Sequence, residues 1–490
     1  MLKKTIRKSC DVLVVGSGPG GAITAHALVQ AGYRVLLCEE GAREGVTRSY
    51  SSGEMDRKYR RAGLTSTLGR LPLTYLEARC LGGGSEVNAG LYHRLPREIL
   101  QEWAEQHGVE NLEPGELEAW AGEVEKRLQI QEQAPPEPGA GQKILAGANR
   151  LGWRTLNVPR WVVCTRESGK RIEKKIGMTD SYLREAESQG LEVLTGCRIL
   201  KILHPRDPMG EARGIWETNE GRKQVRIRYR QVFLCAGATQ TPLLLRRSGF
   251  QRGIGNSLQF QPMIRCVAEF DEPISSEETG VPPRQVTEFK PDLTLGCSAC
   301  TPALLALWVD PRSPQGDLVL TRWRQHGIFY ALIRSATRGK VRSWWGLGDI
   351  ITYHPCETDV ENLRRGAWKL GQLLWAAGAR RILAPWLPES AASAQEDWGL
   401  RMQKFSPANC APSAIHMFGS CPLGGDGRSA PLDSWGKLRE ADNIFVNDIS
   451  MFPSPTGVNP QGSLMVMALR NINHFLAAQR GGTSSESRSA

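Results

Sequence analysis

His416 and Cys421 are the first residues whose types and spacing offer chemistry. They stand in AIHMFGSCPLGG, residues 414–425, a stretch too glycine-rich for a helix. An imidazole five residues before a thiol can share a metal with it, activate it as a nucleophile, or take a proton from some other reactant. The metal reading lacks further ligands at suitable spacing. Cys297 and Cys300, in GCSACTP, likewise have no second Cys-x-x-Cys or nearby histidine pair, so no metal site is expected. A thiol nucleophile would need a third group to orient the histidine. The remaining readings are a proton acceptor and a histidine that merely packs. Cys421 itself reads as a packed thiol.

Whatever reacts at His416 must be positioned, and the N-terminus supplies one device. CDVLVVGSGPGGAITAHALVQAGYRVLLCEEG, residues 10–41, reads as strand, glycine turn, helix, strand. Val12 to Val15 form a continuous apolar run suited to a strand buried on both faces. Gly16, Gly18 and Gly21, with Gly20 beside them, then supply G-x-G-x-x-G. The first allows a tight turn, the second lets backbone approach a pyrophosphate, and the third permits close helix packing. The unpaired N–H groups of the helix start face the phosphates. Glu39 closes the second strand, 18 residues after Gly21, where a carboxylate accepts from a ribose 2′-OH. Glu40 competes for that role, and the E-x-G spacing to Gly41 favours Glu39. No second copy of this unit follows: GIGNS and GLGDI lack the third glycine and the helix. One dinucleotide is therefore expected. If it is a flavin, the substrate itself reduces it.

Three further stretches need explanation. ARCLGGGSEVNAGLYHRLP, residues 78–96, holds three consecutive glycines that let backbone pass against something flat, with Asn88 able to bond its edge. RQVFLCAGATQTPLLLRRSGF, residues 230–250, is another buried strand ending in Ala-Gly-Ala before a helix, the place where α/β folds put ligands. Near the C-terminus, NIFVNDISMFPSPTGVNPQGSLMVMALRNINHFLAA reads as strand, loop, then helix from Pro460, with Asn459 a natural N-cap and Pro460 a natural N1 residue.

With these motifs in this order over nearly its whole length, the chain resembles the glucose–methanol–choline (GMC) oxidoreductase family of FAD enzymes. GGGSEVNAG, HMFGSCPLGG and GVNPQGS look most like the branch of cholesterol oxidase and long-chain alcohol oxidases. The resemblance implies that Gly16, Gly18, Gly20, Gly21 and Glu39 bind the ADP half of FAD, and that the backbone near Ile199 flanks adenine. Gly83, Gly84, Asn88 and Leu91 would line the flavin, while Asp448, Ile449, Asn459, Pro460 and Gln461 would reach its ribityl chain and ring. His416 falls at the family's catalytic histidine and Asn459 at its partner. His416 would then take the hydroxyl proton of an alcohol while flavin N5 takes the hydride. Asn459 would give its NH2 to the alcohol oxygen while its carbonyl caps the following helix. Two departures stand out. Some relatives attach FAD covalently through a histidine just before the Asn88 position; here that residue is Val87, so dissociable, non-covalent FAD is expected. In GIGNSLQFQP, Gln261 stands where histidine is common.

Between about 266 and 400 the pattern changes to strand-like stretches, MIRCVAEF, DLVLTRW, IFYALIRSAT and GDIITYH, followed by an amphipathic helix ended by Gly378. The expected fold is α/β: a Rossmann-like FAD-binding domain with a parallel sheet, plus a substrate domain of α+β character with an antiparallel sheet. The expected boundaries are 1–265 for the first, with helical insertions at about 100–185, and 266–400 for the second. Residues 401–480 return to the first domain with the catalytic histidine and asparagine, and 481–490 form a disordered tail. The formal charge of +11 is spread along the chain, with RRAG (60–63) and KRIEKK (170–175) read as solvated faces and no nucleic-acid motif. No apolar run approaches the roughly 18 residues that span a bilayer. Twelve thinly spread cysteines suit a reducing compartment, and a cytoplasmic protein is expected. The expected reaction is oxidation of a small-molecule CH–OH group to a carbonyl, with O2 or another redox partner as final acceptor. A flavin-dependent lyase or photodecarboxylase on the same fold, or a non-catalytic flavoprotein, are the alternatives.

Overall fold

The structure is a computed structural model that describes residues 5–46, 51–132, 139–167, 170–203, 209–276, 280–309, 314–344, 348–384, 391–407, 410–427 and 430–486. Val12–Val15 and Val35–Cys38, two runs without a polar residue, are buried at every position. They pair in parallel, Val12 opposite Val35 through Val15 opposite Cys38. Gln231–Leu234 and Ile444–Val446 extend the sheet on one side and Glu192–Leu194 on the other, all in parallel. Such a sheet needs cover on both faces. Helix Pro19–Gln30 packs between it and the last helix, Gln461–Glu486. That last helix continues through the first part of the segment expected to be a disordered tail; residues 487–490 lie outside the described residues.

The second large sheet is mainly antiparallel. Its long axis runs through Ser413–Ala414, Met263–Glu269, His326–Ile333, Leu293–Cys297, Arg284–Val286 and Thr155–Asn157. Side chains alternate across it. Ile264, Cys266, Ala268, Phe329, Ala331 and Ile333 face one way, into a core shared with Leu363, Ala367, Leu370 and Leu374 of helix Glu357–Ala376. Met263, Arg265, Gln285, Thr294, Tyr330 and Leu332 are thereby turned the other way. This polar face is the one available to a site.

Two details differ from the expected pattern. DLVLTRW forms the end of helix Pro314–Thr321 and a following 3-10 turn, with Leu318 exposed and Val319 buried. A short apolar run reads equally as helix or strand, and here the helix prevails. Gly348–Thr352 is a strand, but it pairs with Lys340–Trp344 as a separate ribbon. Among the described residues, no helix is long and apolar enough to cross a membrane.

Candidate active site

The glycine turn is shaped by what a side chain would strike. A Cβ on Gly16, whose φ is +99°, would lie 2.3 Å from the Cys235 carbonyl oxygen, and one on Gly21 would lie 2.0 Å from that of Gly16. A Cβ on Gly20 would lie 1.9 Å from the carbonyl oxygen of Asn447, so this turn is pressed against the C-terminal segment. Asn447 reinforces the contact by donating to Thr24 Oγ1 at 2.8 Å. Gly18 behaves differently, since its missing Cβ points at nothing within 4 Å. The open face lies at the start of helix Pro19–Gln30, where a pyrophosphate is expected.

Glu39 is buried beside this turn. Its Oε2 accepts the Ser17 N–H at 3.1 Å and the Ser17 hydroxyl at 2.6 Å, and its Oε1 accepts the Gly41 N–H at 2.8 Å. Burial pushes its pKa up against these bonds. The Ser17 hydroxyl in turn accepts the Gly82 N–H at 3.0 Å, which brings the triple-glycine turn alongside. A Cβ on Gly83, at φ +56°, would lie 2.8 Å from Gly18 Cα, whereas Gly84 opens onto free space. Ile199 is buried in strand Cys197–Leu203, at a bulge opposite Gly214.

Asn88 joins the N-terminal and C-terminal halves of the site. Its Nδ2 donates to Gln461 Oε1 and its Oδ1 accepts the Gly90 N–H at 3.1 Å. Gln461 Nε2 is buried with no partner among the described residues, an orphan donor at the place expected for the flavin edge. Leu91 is buried and bridged to Arg160. Asp448 is buried and spent internally. Its Oδ2 accepts from Gly237 N and Thr241 Oγ1, and its Oδ1 from the N–H and hydroxyl of Ser450. Ile449 begins the 3-10 turn that Asp448 caps and is half-buried between two apolar cores. The Pro460 carbonyl accepts the Leu464 N–H at 2.8 Å, the first bond of the last helix.

His416 sits between two short strands, Ser413–Ala414 and Met417–Phe418, the second paired with Gln259–Phe260. That pairing carries Gln261 alongside, where its backbone N–H donates to the His416 carbonyl at 3.2 Å. The Gln261 side chain is fully buried, and its amide orientation follows from its neighbours. Its oxygen accepts the Gly457 N–H at 3.0 Å, and its nitrogen donates to the Val458 carbonyl at 3.2 Å and to His416 Nδ1 at 3.3 Å. Burial, aided by the Arg265 guanidinium, pulls the His416 pKa down to about 3, so the ring is neutral across the physiological range. Cys421 is fully buried, its thiol pKa pushed up by burial, as a packed thiol would be.

Asn459 meets the polar face of the antiparallel sheet. Its Oδ1, expected to cap the last helix, instead accepts from Gln285 Nε2 at 3.0 Å, and the helix starts at Gln461. Gln285 also donates to the Tyr330 hydroxyl at 2.9 Å and faces His93 Nε2 at 3.2 Å. Arg265, on the same face, donates to Ser413 Oγ and stacks on Trp308, 5.0 Å from its ring centre.

The structure thus brings Glu39, Gly83 and the Asn447–Asp448 segment to the glycine turn, Asn88 to Gln461, and His416 to the segment Gly457–Val458 before Asn459 through Gln261. Gln285, Tyr330, His93, Arg265 and the role of Gln261 were missed. An isolated polar residue in an alternating apolar strand, as Arg265 is in MIRCVAEF, was the available signal. Of the two charge runs expected to be solvated, Arg61 and Lys174 are exposed, but one residue in each is engaged inward. Arg60 is half-buried and paired with Glu40 and Glu77, and the half-buried Lys175 donates to the Asn88 carbonyl at 2.6 Å.

Comparison with known proteins bears on the family and the fold rather than on single residues. Family profiles described as GMC oxidoreductase match residues 55–263 and 349–468, and one described as FAD binding domain matches residues 11–63. The uncharacterized GMC-type oxidoreductase y4nJ of Sinorhizobium fredii is 31% identical over 96% of this chain and 95% of its own length. The long-chain-alcohol oxidase FAO3 of Arabidopsis thaliana is 26% identical over 94% of this chain and 67% of its own. Among solved structures, the crystal structure of pyridoxine 4-oxidase from Mesorbium loti superposes with a TM-score of 0.71 at 20% identity, covering 95% of this chain and 99% of that one.

Proposed function

The chain belongs to the GMC oxidoreductase family and carries out FAD-dependent oxidoreduction, and from that premise we propose that it oxidises a CH–OH group of a small-molecule alcohol to a carbonyl, with His416 as proton acceptor and Asn459 as its partner. The long-chain-alcohol oxidase among its relatives supports an alcohol as substrate and O2 as acceptor.

The residues fit the cofactor. Gly18 and Gly84 leave open space where neighbouring glycines are packed shut, and Gln461 Nε2 is a buried donor awaiting an acceptor. Gly16, Gly18, Gly20, Gly21 and Glu39 would hold the ADP half, with Ile199 near adenine. Gly83, Gly84, Asn88, Leu91, Ile449, Pro460 and Gln461 would hold the flavin, with Asp448 fixing the turn beneath it. When bound, FAD supplies the two-electron acceptor for the hydrogen on the alcohol carbon.

The remaining chemistry belongs to the chain. Removing hydrogen from a carbinol carbon leaves a carbonyl only if the hydroxyl proton also departs. A neutral imidazole takes that proton at the nitrogen that carries no hydrogen, so His416 acts through Nε2 once its ring hydrogen lies on Nδ1 and the Gln261 amide has turned to accept it. Burial and Arg265 hold the ring neutral. Asn459 offers its NH2 to the oxygen as it becomes a carbonyl. The observation that carries the reading is the single Gln261 amide, which touches both His416 Nδ1 and the backbone immediately before Asn459. The test is an anaerobic panel of sterols, fatty alcohols, sugars and aminosugars, followed by flavin absorbance. Bleaching by one class identifies the substrate, and a flavin that no alcohol bleaches overturns the proposal. Turnover under air then distinguishes O2 from another acceptor.

A further inference from the structure

We infer that Gln285 is a positioning residue that decides which end of the Asn459 amide faces the substrate. The inference rests on the proposed role of Asn459.

Gln285 is 3% exposed, on strand Arg284–Val286. Its neighbour Val286 joins the apolar core, which turns Gln285 to the opposite, polar face. There it meets three groups: His93 Nε2 at 3.2 Å, the Tyr330 hydroxyl at 2.9 Å and Asn459 Oδ1 at 3.0 Å. Room for the Tyr330 hydroxyl comes from Gly296, where a Cβ would lie 2.4 Å from that oxygen.

The polarity of this network can be settled by counting. With the amide nitrogen toward Tyr330 and Asn459, both N–H groups of Gln285 are used and its carbonyl accepts from His93 Nε2–H. With the amide reversed, one N–H would serve the His93 lone pair and the other would have no acceptor. A buried N–H without an acceptor is rarer and costlier than a carbonyl with one lone pair spare. A neutral His93 meets the first arrangement with its single N–H, and burial and the Lys290 charge keep it neutral.

Asn459 is therefore fixed with its carbonyl toward Gln285. Its NH2 is left for the site, and among the described residues no group accepts from it. A donor facing the substrate oxygen assists as that oxygen becomes a carbonyl. The reversed amide would present a carbonyl and repel it.

Gln285→Glu is the direct test, because a carboxylate of the same shape accepts from both His93 and the Asn459 NH2 and turns the Asn459 carbonyl to the site. The expected result is flavin reduction slowed at least about tenfold in rate constant, with apparent substrate affinity changed far less. In nitrogen-15 spectra of the substrate-free chain, His93 should keep its hydrogen on Nε2 in both forms. Gln285→Leu should slow reduction similarly in the wild-type background and by less than about twofold when Asn459→Ala is already present. A Gln285→Glu enzyme within twofold of wild type, or a His93 hydrogen on Nδ1 in the wild type, overturns the inference. So does a Gln285→Leu effect undiminished by a damaging Asn459→Ala. An Asn459→Ala enzyme that reduces its flavin normally would take down the reading of Asn459 as well. Should Gln285→Leu fail to fold, the isosteric Glu variant and the His93 spectrum still decide.

Discussion

Arg265 brings its guanidinium to bear on the His416 imidazole from the polar face of the antiparallel sheet, and that charge adds to burial in keeping the ring unprotonated. A cation beside a proton acceptor weakens it as a base but keeps it available at low pH. The acid limb of the flavin-reduction rate is therefore expected well below the ordinary histidine range, toward pH 3. Arg265→Met should move that limb toward neutrality. An acid limb near pH 6.5 in the wild type would contradict the assignment.

The same burial makes the fold acid-sensitive. His416 and His93 both titrate near 3 when folded and near the ordinary value when unfolded. The unfolded chain then binds protons that the folded chain refuses, so stability is full above about pH 6.5 and declines as pH falls toward 3. Thermal unfolding midpoints recorded across that window should drop steadily, and the slope should lessen in His93→Gln.

His416→Ala should retain FAD and slow flavin reduction by at least about a hundredfold, the scale of a positioned base. Stopped-flow absorbance with the best alcohol measures it directly. A rate within a few-fold of wild type would remove His416 from the chemistry.

Gln261 imposes a condition on that role. Its N–H on Nδ1 favours the ring hydrogen on Nε2, whereas a base acting through Nε2 needs that hydrogen on Nδ1. Gln261→Glu keeps an acceptor for the Gly457 N–H and favours the second tautomer, but gives up the donor to the Val458 carbonyl. Gln261→Met, which loses that donor without favouring either tautomer, is its control. Reduction in the Glu variant should match or exceed that of the Met variant. A Glu variant tenfold slower than the Met variant would mean that His416 works as a hydrogen-bond donor rather than a base.

The two kinds of glycine in the turn should separate binding from folding. Gly20→Ala drives a methyl into the Asn447 carbonyl and should cost about 2 kcal/mol or more of stability. Gly18→Ala meets nothing and should fold normally, yet bind FAD at least about tenfold more weakly. Calorimetry for the first and flavin titration of the second check the pair. Since Val87 stands where some relatives carry a histidine, denaturation with acid should also release all the flavin into solution.

Much of this site is visible in one dimension because it is local. The turn from Val12 to Glu39 sets strand, glycine, helix and carboxylate within a single unit, and each residue type answers a short-range steric or charge demand. His416 and Asn459 are visible as isolated polar groups in loops rich in glycine and proline. Arg265 leaves only the faint mark of a charge inside an apolar strand, and Gln285, Tyr330 and His93 leave none, because only the pairing of separate segments brings them together. Arg60 and Lys175 deceived for the complementary reason: a charge run looks solvated until its partners, some of them remote in the chain, are known.

The contact between Gly20 and the Asn447 carbonyl spans more than four hundred residues, and the strand that precedes Asn447 closes one edge of the central sheet. A ribosome must release more than four hundred residues beyond the glycine turn before the nucleotide berth can finish. Until then the unit that holds the turn waits with its apolar flank uncovered, exposed to misassociation and dependent on prompt arrival of the strand Ile444–Val446 and the helix after it.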